Sequence, residues 1–122
     1  MPTVRTVFLV CESQLLGDRL ADRISKLVGI TFVGRSDTRD DALRRIAAEN
    51  PKVVIVDIHL AASSGMDVLR SVKRFKYPPL VVALSTSSER QYSEQCIREG
   101  ADCSICLPEE IDKLTEFLEG AI

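Results

Sequence analysis

Val53-Val54-Ile55-Val56-Asp57 sets four β-branched residues in a row and closes them with a carboxylate. A strand with one wet face alternates apolar and polar residues. An unbroken apolar run of this length, bounded by polar residues, reads instead as a strand buried on both faces. Leu80-Val81-Val82-Ala83-Leu84 repeats the pattern downstream, and Val7-Phe8-Leu9-Val10 precedes it upstream. Ile30 to Val33 is a weaker run, and Ile105 to Leu107 closes the series.

Helical patterns lie between these runs. Leu16, Leu20, Ile24 and Leu27 recur at helical spacing, with Gly29 as a stop. Thr38-Arg39-Asp40-Asp41 reads as a capping box ahead of Leu43, Ile46 and Ala47, and Pro51 ends that segment. Ser64-Gly65-Met66-Asp67 and Ser88-Glu89-Arg90-Gln91 read as two further caps, and Gly100 ends the fourth helix. Pro108-Glu109-Glu110 opens the last helix, with Ile111, Leu114 and Leu118 on one face. The fourth helix is the least apolar, since Tyr92, Cys96 and Ile97 are nearly all it offers. Strand–helix alternation of this kind predicts a parallel sheet with helices on both faces, joined by right-handed crossovers.

At 122 residues the chain has the length of one domain, taken as 1–122. Hydrophobic residues make up 45% and charged residues 28%, which argues against disorder. The net charge of −2 disfavours a dedicated nucleic-acid binder. No apolar stretch is long enough to span a bilayer, and Met1-Pro2-Thr3-Val4-Arg5 lacks the form of a signal peptide. The expected compartment is the cytoplasm, with no membrane partner and with the four cysteines reduced.

In such a sheet, ligands bind beyond the carboxyl ends of the strands. Those ends are Val10-Cys11-Glu12-Ser13, Val56-Asp57-Ile58-His59, Leu84-Ser85-Thr86-Ser87 and Cys106-Leu107-Pro108. Asp57 follows four apolar strand residues, so its carboxylate stands at the edge of the core. With Glu12 it forms a hard-oxygen pair suited to Mg²⁺, which binds through one or two carboxylates and keeps water and phosphate oxygens. Ser85 or Thr86 can then donate a hydroxyl to an anion held there.

These stretches resemble the receiver domain of two-component response regulators. The resemblance rests on Phe8-Leu9-Val10-Cys11-Glu12-Ser13, on Val53 to Asp57 followed by Ser64-Gly65-Met66-Asp67-Val68-Leu69, and on Val81-Val82-Ala83-Leu84-Ser85-Thr86. Gly100-Ala101-Asp102 and Pro108 complete it. It implies a flavodoxin-like, doubly wound five-stranded parallel sheet in the order 2-1-3-4-5. It also implies that Asp57 accepts a phosphoryl group from a histidine kinase or phosphotransfer protein. Mg²⁺ would then lie on Glu12, Asp57 and the backbone carbonyl of His59, with Ser85 as the hydroxyl donor.

The chain departs from the family pattern at three positions. Cys11 stands where the family has the first Asp of its acidic pair, Leu107 where it has Lys, and Ser104 where an aromatic switch residue lies. A Lys–carboxylate contact at ~4 Å and an effective dielectric of about 20 is worth about 4 kcal/mol before desolvation. Its loss weakens phosphoryl capture. The site loses one acid and one cation together, however, so its formal charge is unchanged and metal binding is weakened rather than excluded.

Cys103-Ser104-Ile105-Cys106 has C-x-x-C spacing, but alternation in a strand points the two thiols to opposite faces, and zinc would need further ligands from a chain with one His. The nearby carboxylates should raise the thiol pKa of Cys11. Asp57-Ile58-His59 is similar to the start of a cobalamin-binding motif, yet Ala62 stands where that motif needs Gly, and His59 reads as an exposed loop residue. The expected function is a stand-alone, non-enzymatic receiver. It would signal to a downstream effector protein through the face of the fourth and fifth helices and fifth strand. The alternative is a phosphorylation-independent pseudo-receiver acting as an interaction module.

Overall fold

The computed structural model describes residues 5–60, 64–86 and 90–120. Strands and helices alternate along them: β1 (Arg5–Val10), α1 (Gln14–Ser25), β2 (Ile30–Ser36), α2 (Arg39–Glu49), β3 (Val53–Asp57), α3 (Ser64–Lys73), β4 (Leu80–Ser85), α4 (Arg90–Arg98), β5 (Cys103–Cys106) and α5 (Ile111–Gly120). The five strands form one parallel sheet in the order β2-β1-β3-β4-β5, the flavodoxin-like arrangement expected. All five carboxyl ends therefore lie along one edge.

The unbroken apolar runs serve two cores at once. Along β1, Val7 and Leu9 face one way while Phe8 and Val10 face the other, and all four are fully buried. The first set, with Val53, Ile55, Val82, Leu84 and Ile105, packs against Leu20 and Ile24 of α1 and Leu114 and Leu118 of α5. The second, with Val54, Val56, Val81 and Ala83, packs against Ala42 and Ile46 of α2, Val68, Leu69 and Val72 of α3, and Cys96 of α4. This is why the central strands show no polar alternation.

Helix ends differ in detail from the sequence pattern. Ser13 caps α1 by accepting the Leu16 amide at 3.2 Å. The helix stops at Ser25, ahead of Gly29, which turns the chain into β2 with a φ of +79° and whose carbonyl accepts the Arg5 amide. Thr38 occupies the N-cap of α2 but makes no side-chain cap bond. Instead the Ser36 hydroxyl donates to Asp41 at 2.6 Å, which holds that carboxyl below its usual range. Pro108 to Glu110 form a turn rather than the first turn of α5. There the Glu110 carboxylate accepts the Cys106 amide at 2.8 Å. The cap expected at Ser88-Glu89 lies outside the described residues, as does Ala62.

Candidate functional site

Asp57 is the last residue of β3, between β1 and β4, and is half-buried. Its Oδ1 accepts the His59 amide at 2.9 Å, closing a tight turn. The amide of Ile58 is tied to the Leu84 carbonyl at 3.1 Å, so the loop leaves the sheet only after Asp57. Gly65, at the start of α3, lies directly beneath this turn. A Cβ there would stand 2.3 Å from the Asp57 carbonyl oxygen and 2.6 Å from the Ile58 Cα, so only glycine lets the helix approach.

Glu12 follows β1 and is exposed, while Cys11 beside it is buried. Both line a cleft of about 300 Å³ that also takes in Arg35, Ser36 and Asp41. Burial raises the Cys11 thiol above its ordinary value, and the Asp57 charge adds to this, with Glu12 contributing least. The expected direction holds, but burial outweighs the carboxylates. The result is a protonated thiol that donates to the Ser13 carbonyl at 3.5 Å. Sulfur is in any case a poor ligand for a hard cation such as Mg²⁺.

Ser85 ends β4 and is buried, and its neighbour Thr86 is exposed. The Ser85 Oγ lies 2.9 Å from His59 Nε2. The His59 ring also meets Tyr92 of α4 edge-on, with centroids 5.7 Å apart. His59 is exposed, as expected, but its side chain is engaged. Sequence reasoning missed this contact because the partner lies 26 residues away, with no spacing to betray it.

Leu107 follows β5 and its amide donates to the Ser85 carbonyl at 2.7 Å. The side chain is buried in the α1/α5 core, where Cys11 also lies. Cys103 packs toward the same core, whereas Cys106 Sγ lies 3.8 Å from Glu109 Oε2. Both thiols are raised, chiefly by burial, which suits structural roles.

Glu12 opens onto the cleft with Arg35 and Asp41, whose lining does not include Asp57, so the two carboxylates stand at neighbouring strand ends and do not share that cleft. Among the described residues no group of three or more His, Cys, Asp or Glu side chains converges to hold a metal. A pair of hard carboxylates supplemented by carbonyl and water is the set Mg²⁺ takes, whereas zinc and other soft metals need more side-chain ligands.

The response regulator receiver domain model matches residues 7–119. The chain belongs to that family. Among curated proteins, the receiver domain is 26% identical to the sensory transduction protein LytT of Bacillus cereus over 93% of this chain and 45% of that protein. It is 25% identical to a protein-glutamate methylesterase/protein-glutamine glutaminase of Clostridium acetobutylicum, over 95% of this chain and 34% of that protein. The chain thus spans less than half the length of these relatives. Among solved structures, a LuxR-family two-component response regulator from Aurantimonas superimposes with a TM-score of 0.89 at 14% identity, covering 98% of this chain and 85% of that one. That similarity speaks to fold alone. No helix among the described residues is long and apolar enough to cross a membrane.

Proposed function

We propose that residues 1–122 act as a receiver that accepts a phosphoryl group on Asp57 from a histidine kinase or phosphotransfer protein. It then signals to an effector protein through the surface of α4, β5 and α5. The observation that carries this reading is a half-buried carboxylate at the end of the central strand, held by the His59 amide, with the Ser85 hydroxyl at the end of the adjacent strand.

In the transfer, an Asp57 carboxylate oxygen forms a bond to phosphorus while the bond from phosphorus to the donor nitrogen breaks. The electron pair stays on the donor imidazole, and the product is an acyl phosphate. Such a step needs in-line positioning and charge neutralisation more than covalent chemistry from the protein. Glu12, Asp57 and the His59 carbonyl would hold Mg²⁺, which when bound supplies most of that neutralisation. Ser85 supplies a hydrogen bond to a phosphoryl oxygen. The receiver performs no turnover of a separate substrate in this reading. It contacts no nucleic acid and no membrane itself.

Incubation with Mg²⁺ and acetyl phosphate tests the reading by intact mass. An adduct of one phosphoryl group is expected on the parent and absent from Asp57→Asn. An adduct that survives Asp57→Asn overturns the site. Cys11→Asp combined with Leu107→Lys should accelerate the adduct, because it restores the acid and cation that the family pattern places there.

The second reading, a phosphorylation-independent interaction module, is favoured by one observation. Cys11 and Leu107 are packed into a shared apolar core, at 3% and 6% exposure, so this corner of the edge presents no charge to a phosphoryl group. Absence of adduct from the parent, with an adduct on the double variant, is the result that selects it.

A further inference from the structure

Three contacts meet on His59. Its amide donates to Asp57 Oδ1 at 2.9 Å, its Nε2 lies 2.9 Å from Ser85 Oγ, and its ring edge rests against Tyr92 on α4. We propose that the His59 imidazole is a positioning residue that couples the Ser85 hydroxyl to α4, so that an anion engaged at Asp57 is felt at Tyr92. The proposal rests on the reading of the Asp57 edge as an anion site.

A serine hydroxyl has one proton to donate and two lone pairs to accept with. Once that proton turns to an anion at Asp57, Ser85 can only accept from His59, so Nε2 must carry the hydrogen. An imidazole that had been accepting through Nε2 must change tautomer or leave. One that had been donating is held in that tautomer. Occupancy at Asp57 therefore fixes the hydrogen on Nε2 and selects one tautomer of the ring.

A ring that shifts or turns changes its contact with Tyr92. An edge-on pair depends on centroid distance and on the interplanar angle, here 72°. The helix receiving the change is weakly anchored. Cys96 is the one residue of α4 in the apolar core among the described residues, while Ile97 is 48% exposed and Tyr92 37%. An element with few buried contacts responds to a small displacement where a packed one would not. Beneath His59 and Tyr92, a cleft of about 270 Å³ bounded by Met66, Asp67, Arg70 and Gln95 leaves room for the ring to move.

The composition supplies two clean probes. His59 is the chain's one histidine, so its imidazole gives a single set of ring resonances. Tyr77 and Tyr92 are its two tyrosines and there is no tryptophan, so Tyr77→Phe leaves Tyr92 as the sole emitter. The experiment titrates this Tyr77→Phe chain with beryllium fluoride and Mg²⁺. Occupancy is read from the bound ¹⁹F signal, the imidazole from its ¹⁵N shifts, and Tyr92 from its fluorescence. Saturation should shift the imidazole nitrogens and change the Tyr92 emission together. His59→Phe keeps a ring against Tyr92 but cannot bond Ser85. Compared at equal ¹⁹F occupancy, it should lose the Tyr92 response.

Bound fluoride with an unmoved imidazole and unchanged emission overturns the coupling and leaves the anion site standing. The same holds if the Tyr92 response persists in full in His59→Phe. Absence of a bound ¹⁹F signal from the parent overturns the anion site and the coupling with it.

Discussion

Helices α3 and α4 pack against the same face of the sheet and are held to it by different physics. α3 contributes Val68, Leu69 and Val72, all fully buried, and its Gly65 fits beneath the Asp57 turn. α4 contributes Cys96. Beyond that and the buried Ala101 that follows it, ion pairs tie down its carboxyl end. Arg70 of α3 grips Glu99 with two hydrogen bonds, at 2.8 and 3.1 Å, and Lys73 of α3 bonds Asp102 at 3.0 Å. Apolar burial is non-directional and is not screened by salt, whereas partly exposed ion pairs are screened and release readily. The helix beneath the site is fixed, and the helix that meets the His59 ring is tethered. In the proposed reading, the contrast sets rigidity at the acceptor carboxylate and compliance at the surface that signals.

The largest effect should come from attacking the fixed side. Leu69→Ala removes a fully buried side chain and should cost about 2–5 kcal/mol, read by chemical denaturation. A loss under about 1 kcal/mol would mean α3 is not the anchor. Gly65→Ala should come next. Its new Cβ would collide with backbone at Asp57 and Ile58, and overpacking of this kind costs about 1–3 kcal/mol. Because the collision is at the turn itself, adduct formation with acetyl phosphate should slow by more than the stability loss explains.

Smaller effects are expected on the tethered side. Glu99→Gln should speed amide hydrogen exchange in α4 while leaving α3 unchanged, and added salt should narrow the difference from the parent. The pH dependence has a defined sign. Hydrogen bonding to Arg70 holds the Glu99 carboxyl below its usual range. Its contribution is therefore complete above the ordinary carboxylate range and fades as pH falls through and below it. The gap in melting temperature between parent and Glu99→Gln should be flat at neutral pH and close in acid. Least of all, Ile97→Ala should change stability by no more than about 0.5 kcal/mol, since the side chain is 48% exposed. Effector binding through α4 should nevertheless weaken in that variant.

The strands were legible because their evidence is local and repeated. Every residue of Val53 to Val56 is apolar, and each is buried by one core or the other, so no single position had to be right. Helix termini were less legible. Thr38 offers a cap side chain and makes no cap bond, and the Asp41 carboxylate that would complete the box accepts from Ser36 of the preceding strand instead. Cap chemistry depends on the path of the loop, which a list of residue types does not contain. At the candidate site, the sequence put Asp57, Glu12 and Ser85 at strand carboxyl ends, and the structure has Asp57 and Ser85 ending β3 and β4 and Glu12 following β1.

The sequence by itself determined the alternation of elements, the doubly buried central strands and the carboxylate at the end of β3, because periodicity and strand-end chemistry are written within a few consecutive residues. Tertiary structure alone decided that the His59 ring meets Ser85 and Tyr92, that Arg70 meets Glu99 across 29 residues, and that Leu107 joins Cys11 in the apolar core. Contacts of that kind join side chains far apart in the chain. Crossover geometry and strand register set them to within a few ångströms, and neither leaves a local trace in residue order.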